Sequence, residues 1–205
     1  KRNVLLMHAG DFGQGTSYFS EMNGDIEIDV MNSLGFDVVC LGNHEFDNGT
    51  KELARRLKNL KAKVVCANYD FEDSPLEDVV HPYVIIKKAG MKIGVIGLLT
   101  DIRRVVDKKI AAEFSYIEPA DVVNRYAEYL KNEKGCDLVM CLSHLGYEED
   151  KEVAALIRNV DVIVGGHTHT LLHKKQEVKD LDGKPVVIVQ NWKWGLNVGH
   201  LPIDF

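Results

Sequence analysis

The chain has 205 residues, 45% hydrophobic and 27% charged, which fits one globular α/β domain with a sizeable core. No apolar run approaches the ~20 residues that cross a bilayer, and the start, Lys1-Arg2-Asn3 leading into a short apolar stretch, is unlike a signal peptide. The net charge of −6 argues against nucleic acid as a partner, because backbone phosphates call for clustered Lys and Arg; a small phosphorylated substrate stays compatible if bound metal supplies positive charge locally.

In chain order, the pattern predicts a strand at 4–7, a helix at 25–34, a strand at 38–41, a helix at 50–60, strands at 63–67, 83–87 and 92–98, a helix at 119–131, a strand at 138–142, a helix at 151–158, and strands at 162–164, 186–189 and 196–203. Thr50 is placed to cap the second helix, with Leu53 and Leu57 behind it. In the third helix Pro119 suits the first turn, and Ala120, Val123, Ala127 and Leu130 make one apolar face. Asp182-Gly183 signals a hairpin between 177–181 and 185–189. Strand, helix, strand order indicates a mixed α/β core, and with no repeat or linker the whole of 1–205 reads as one domain. Cys40, Cys66, Cys136 and Cys141 form no CxxC pair and read as buried free thiols.

Four segments each follow an apolar run and end in polar, metal-capable side chains: Ala9-Gly10-Asp11, Gly42-Asn43-His44-Glu45, Ser143-His144-Leu145-Gly146 and Gly165-Gly166-His167-Thr168-His169. Strand ends in α/β proteins converge on one edge of a sheet, so residues remote in sequence can meet there. Taken singly, Asp11, Asn43 and His144 could be a turn aspartate, a loop asparagine and a satisfied core histidine. His167 and His169, two apart in an extended segment, point to one side and form a natural metal clamp. Together they offer a carboxylate, an amide and imidazoles without a cysteine, a donor set for Mn, Zn, Fe or Co. A carboxylate such as Asp11 can bridge two cations, and two cations ~3.5–4 Å apart can clamp an in-line phosphoryl displacement.

The set Gly10-Asp11, Gly42-Asn43-His44-Glu45, His144 and Gly166-His167-Thr168-His169 resembles the motifs of the calcineurin-like metallophosphoesterase family. The longer run Gly42-Asn43-His44-Glu45-Phe46-Asp47-Asn48-Gly49, with Ala67-Asn68-Tyr69 and Ile93-Gly94-Val95-Ile96-Gly97-Leu98, is similar to the 5′-nucleotidase branch, over nearly the whole chain. The resemblance implies a four-layer αββα sandwich of the metallo-dependent phosphatase type and two divalent metal ions. It implies that Asp11 bridges the metals, that Asn43, His144 and His167 complete one site, and that His169 belongs to the other. His44 would not ligate metal but face the phosphoryl group, with Asp47 holding its ring, and water activated by the cations would be the nucleophile.

One departure stands out. The family opens with an Asp-x-His motif that supplies further ligands beside His169, and no Asp-x-His occurs in this chain. The opening segment is expected to precede Lys1; without it the His169 site keeps only Asp11 and His169 and should bind metal poorly. The branch also carries a C-terminal substrate-binding domain, expected here as a missing half or a separate partner chain, and export to the periplasm or beyond. The expected reaction is hydrolysis of a nucleoside 5′-monophosphate. The alternatives are a phosphodiesterase on 2′,3′-cyclic nucleotides or nucleotide sugars, and a degenerate, non-catalytic module that binds metal or nucleotide. His8, His81, His173 and His200 read as structural or surface residues, Trp192 and Trp194 as core or interface packing, and Arg103, Arg104, Lys108 and Lys109 as a solvated loop.

Overall fold

The computed structural model describes residues 3–203. The elements are β1 (Met7–His8), α1 (Ser17–Met22), α2 (Asp25–Leu34), β2 (Val38–Cys40), α3 (Thr50–Asn59), β3 (Lys63–Val65), β4 (Tyr69–Asp70), β5 (Val80–His81), β6 (Tyr83–Lys88), β7 (Met91–Leu99), α4 (Lys108–Ala111), β8 (Ser115–Tyr116), α5 (Pro119–Glu128), β9 (Leu138–His144), α6 (Tyr147–Leu156), β10 (Val162–Gly165), β11 (Gln176–Lys179) and β12 (Pro185–Gln190). A four-stranded sheet runs β1-β2-β3-β5, all parallel, and a six-stranded sheet runs β11-β12-β10-β9-β7-β6. In the larger sheet β12, β10, β9 and β7 are parallel, with β11 and β6 antiparallel at its two edges.

Strand periodicity sends alternate side chains into different cores. Val38 and Cys40 of β2, Val65 of β3, Ile93 and Val95 of β7, and Leu138, Met140 and Leu142 of β9 meet between the two sheets. Their neighbours turn outward: Val39 and Val64 pack under Ile28 and Met31 of α2 and Leu53, Ala54 and Leu57 of α3. Val139, Cys141, Ile163 and Ile188 pack under Val122, Val123 and Ala127 of α5 and Val153 and Ala154 of α6. The result is helix, sheet, sheet, helix, the four layers implied by the resemblance. Each fully buried Val or Leu contributes ~1.5–3 kcal/mol. The sheets meet backbone to backbone at Gly97, where an added Cβ would run into Val65 and Cys66.

Several local expectations need correction. The strand at 196–203 does not form: β12 is already flanked by β10 and β11, and the segment lies exposed, with Val198 at 85%. Trp192 and Trp194 are not core residues; both have left-handed backbone, and Trp194 is 76% exposed with the Lys193 ammonium over its ring. Thr50 does not cap α3, because Gly49 occupies that position and Thr50 is the first helical residue. The helix expected at 151–158 begins four residues earlier, its first turn being Glu148-Glu149-Asp150, acids that suit a helix N-terminus. The first strand is Met7–His8 rather than 4–7, and α1, capped by Thr16 through the Phe19 N–H, was not anticipated. The α5 face formed as expected, with Val123, Ala127 and Leu130 buried, but α5 ends in a π-helical turn at Tyr129–Glu133. The Asp182-Gly183 hairpin joins β11 to β12, with the Asp180 carboxylate accepting from the Asp182 and Lys184 N–H groups. All four cysteines are buried free thiols.

Candidate metal centre

Each candidate residue leaves the carboxyl end of a parallel strand: Asp11 after β1, Asn43 after β2, His144 as the last residue of β9, His167 and His169 after β10. The two sheets present these ends along one edge. A ligand atom from each of Asp11, His144 and His167 lies within 4.8 Å of the others. His144 Nδ1 donates to the Ala9 carbonyl at 2.5 Å. A carbonyl can only accept, so Nδ1 carries a proton, and in the neutral ring Nε2 is the nitrogen left as an acceptor on the side of Asp11. The backbone is left-handed at Asp11, His167 and His169 (φ 56°, 68° and 53°), costly geometry for residues with a Cβ and of the kind that gathers at functional sites. Gly42 permits the closest approach, since an added Cβ would collide with Asp11 Oδ1.

The residues fit a bound cation. His144 Nε2 is 3.0 Å from Asp11 Oδ2 but not aligned for a hydrogen bond, so that buried nitrogen has no hydrogen-bond partner among the described residues. Asn43, 5% exposed, has its Oδ1 buried and unpartnered in the same sense. Orphaned buried acceptors are costly unless a donor or cation completes them. The donors are one carboxylate, one amide oxygen and two imidazole nitrogens, with no thiolate, the set suited to Mn, Zn, Fe or Co. His169 is exposed and lies outside the group formed by Asp11, His144 and His167.

Charge and burial oppose each other here. Burial alone would lower the His144 pKa, but the Asp11 carboxylate outweighs it and holds the imidazole above its usual range. Burial would likewise raise Asp11, yet His144 holds it below the ordinary carboxylate range. Burial and then the His144 ring push His167 down. His44 stands apart: its Nδ1 is 2.9 Å from Asp47 Oδ2, with 44% of the His44 side chain exposed, so the carboxylate orients a ring open to solvent.

Residues to which the sequence assigned no role of their own hold this arrangement together. Glu45, fully buried, accepts from the Gly42 and Asp11 N–H groups at 2.6 and 2.7 Å and from those of Phe12 and Gly13 at 2.9 and 3.2 Å. Gln190, 3% exposed, donates to the Gly166 carbonyl at 2.9 Å and accepts from the Thr170 N–H at 2.5 Å. Asn68 ties the two sheets by pairing with both the N–H and the carbonyl of Leu99, which is opposite His144. Ser143 Oγ donates to Asp150, a carboxyl pushed up to about 7 by burial. The signal for Glu45 was a glutamate inside a run ending in buried Phe46, unusual for a surface residue. His8 is a packing residue, edge-on to Phe12 and Phe36, and burial, with the His144 charge, pushes its pKa down to about 4.

Comparison with known proteins agrees with this geometry. Residues 1–171 match the calcineurin-like phosphoesterase family. A probable 5′-nucleotidase of Treponema pallidum is 34% identical over the whole chain, which spans 37% of that protein. The NAD 5′-nucleotidase of Haemophilus influenzae is 32% identical over the whole chain and 36% of its own length. A crystal structure of a 5′-nucleotidase precursor from Thermus thermophilus superposes with a TM-score of 0.89 at 37% identity, covering 94% of this chain and 40% of that one. The chain thus spans well under half the length of each of these three relatives. Among the described residues no helix is long and apolar enough to cross a membrane. By sequence match and by strand-end geometry alike, the chain belongs to the calcineurin-like phosphoesterase family.

Proposed function

We propose that this protein hydrolyses a phosphate monoester, a nucleoside 5′-monophosphate, at a centre for two divalent cations of the Mn, Zn, Fe or Co class. The observation that carries the reading is the convergence of Asp11, His144 and His167 within 4.8 Å, together with a buried, unpartnered Asn43 oxygen on the loop after β2. Asp11 would bridge the two sites, Asn43, His144 and His167 would complete one, and His169 would serve the other. When bound, the cations supply Lewis-acid charge and acidify water toward neutral pH. His44 stays outside the ligand set. Asp47 holds the Nδ1 N–H, so that the other ring nitrogen faces the phosphoryl group; in the imidazolium form that nitrogen carries a second proton, which it gives to the leaving oxygen, and the ring is left neutral.

The matched relatives are more than twice as long as the matched region. That supports reading 1–205 as the catalytic domain, with the nucleoside selected by a further domain or a partner chain. The test is product analysis with Mn²⁺: inorganic phosphate from AMP, and the nucleoside or sugar phosphates that cleavage would free from a 2′,3′-cyclic nucleotide, a nucleotide sugar and NAD, the last because one relative is named an NAD 5′-nucleotidase. Release from AMP is the expected result. Turnover of only the diesters would move the assignment to a phosphodiesterase. No turnover, with one equivalent of Mn²⁺ or fewer bound at saturation, would reduce the protein to a binding module.

A further inference from the structure

We propose that Glu45 is a positioning residue that builds one wall of the metal centre before any cation arrives, by gathering backbone amides from two separate loops onto one buried carboxylate. The inference rests on reading Asp11 and Asn43 as ligands. The loop after β1 contributes the N–H groups of Asp11, Phe12 and Gly13, and the loop after β2 contributes that of Gly42. Two amides reach each oxygen of Glu45, which fills the acceptor capacity of an ionised carboxylate. Three successive amides turned onto one anion form a concave nest, and that nest gives a reason for Asp11 to hold φ 56° despite its Cβ.

The same residue is fixed from behind. Its backbone carbonyl accepts from Arg56 Nη2 at 2.7 Å, and Arg56, 2% exposed on α3, lies against the Phe19 ring. The Asp11 side chain is then locked in turn, because its Oδ1 accepts the His44 N–H at 3.0 Å. Glu45 thus sets the backbone of the loop carrying Asp11 against the turn that carries Asn43 and His44, without itself facing the ligand cluster. Glutamine has nearly the same shape but one acceptor oxygen, and its NH2 would confront two N–H donors, so the nest could not close.

The test begins with the metal-free wild-type protein and amide hydrogen exchange. The amides of Asp11, Phe12, Gly13 and Gly42 should exchange ~10²-fold or more slowly than unprotected amides before metal is added. Glu45→Gln should lose that protection while β9 and β10 keep theirs, and should bind Mn²⁺, followed by its paramagnetic resonance signal, ~10–100-fold more weakly, the scale of an outer partner of a metal ligand. Amides that become protected in the wild type only on adding Mn²⁺ would overturn the proposal. So would a folded Glu45→Gln protein that binds Mn²⁺ within ~2-fold of wild type. If the variant does not fold, the wild-type exchange pattern decides alone. Asp11→Asn in the same titration separates the two levels: unchanged Mn²⁺ binding there would remove the site reading itself, whereas weakened binding there with unchanged binding in Glu45→Gln would remove only the positioning role.

Discussion

The loops after β1 and β2 are held by a carboxylate, whereas the loop after β10 is held by the neutral amide of Gln190. The reason lies in which backbone groups each loop turns inward. The first pair turns four N–H groups onto one point, which require an acceptor with four sites. The second presents one carbonyl, from Gly166, and one N–H, from Thr170, which an amide matches one for one. Charge follows from the choice. The first wall places the Glu45 carboxylate behind the Asp11 backbone, while the second carries the imidazoles of His167 and His169. Thr168 extends the second wall sideways, its hydroxyl accepting the Tyr147 N–H at the start of α6. The lesson is that a loop's clamp is dictated by the direction of its peptide groups before it is tuned by charge.

The sharpest way to break this comparison is to remove the residue the two walls share. Asp11→Asn should weaken Mn²⁺ binding beyond the ~10–100-fold that loss of an outer partner costs, and abolish measurable phosphate release; calorimetric titration checks the first and a phosphate assay the second. His44→Ala should leave metal content unchanged and lower turnover ~10²-fold or more, and loss of metal in that variant would place His44 among the ligands instead. On the second wall, Gln190→Leu strands the Thr170 N–H and the Gly166 carbonyl, and should cost ~2–4 kcal/mol in chemical denaturation, together with weaker Mn²⁺ binding. A stability loss with unaltered metal affinity would show that this wall, unlike the first, does not position ligands.

A pH experiment sharpens the contrast further. Asp150 sits behind the second wall with its carboxyl raised from 3.8 to about 7 by burial. A carboxyl that keeps its proton in the folded state favours folding fully below its unfolded pKa, and that contribution drains away as pH rises toward 7. Asp150→Asn removes the titration, so the metal-free wild type should lose thermal stability relative to this variant between pH 5 and pH 8. A gap that stays constant across that range would mean that Asp150 is ionised throughout. The smallest effect is expected far from both walls: Val198→Ser, at an 85% exposed position, should change stability by less than ~0.5 kcal/mol.

What the sequence made legible was whatever repeats along the chain. The alternation in β9 and the helical spacing of Val123, Ala127 and Leu130 announce their cores before any coordinates. The polar strand ends were equally visible, because glycine followed by Asp, Asn or His after an apolar run sets a metal-capable donor where a strand gives out. Elements that depend on a neighbour were harder to see. β5 pairs two residues with β3 at a sheet edge, and nothing within Val80-His81 foretells it. The 196–203 stretch has a strand-like composition but no free partner beside β12. Glu45, Asn68 and Gln190 were missed as supports for the same reason: each is a single polar residue whose role is defined by backbone it reaches across the fold.

Gly97 gives the site a lever arm. The larger sheet rests on the smaller there without an intervening side chain, backbone against the backbone of Val65. One residue beyond that fulcrum, β3's extension hands its chain to β7 through the Ala67 N–H and the Gly97 carbonyl, and then through Asn68 and Leu99. A methyl group at position 97 would force a shift between the two sheets, one of which carries Asp11 and the other His144. The spacing between the strand ends that carry Asp11 and His144 is therefore gauged by an atom that is not there, at a residue outside the candidate site.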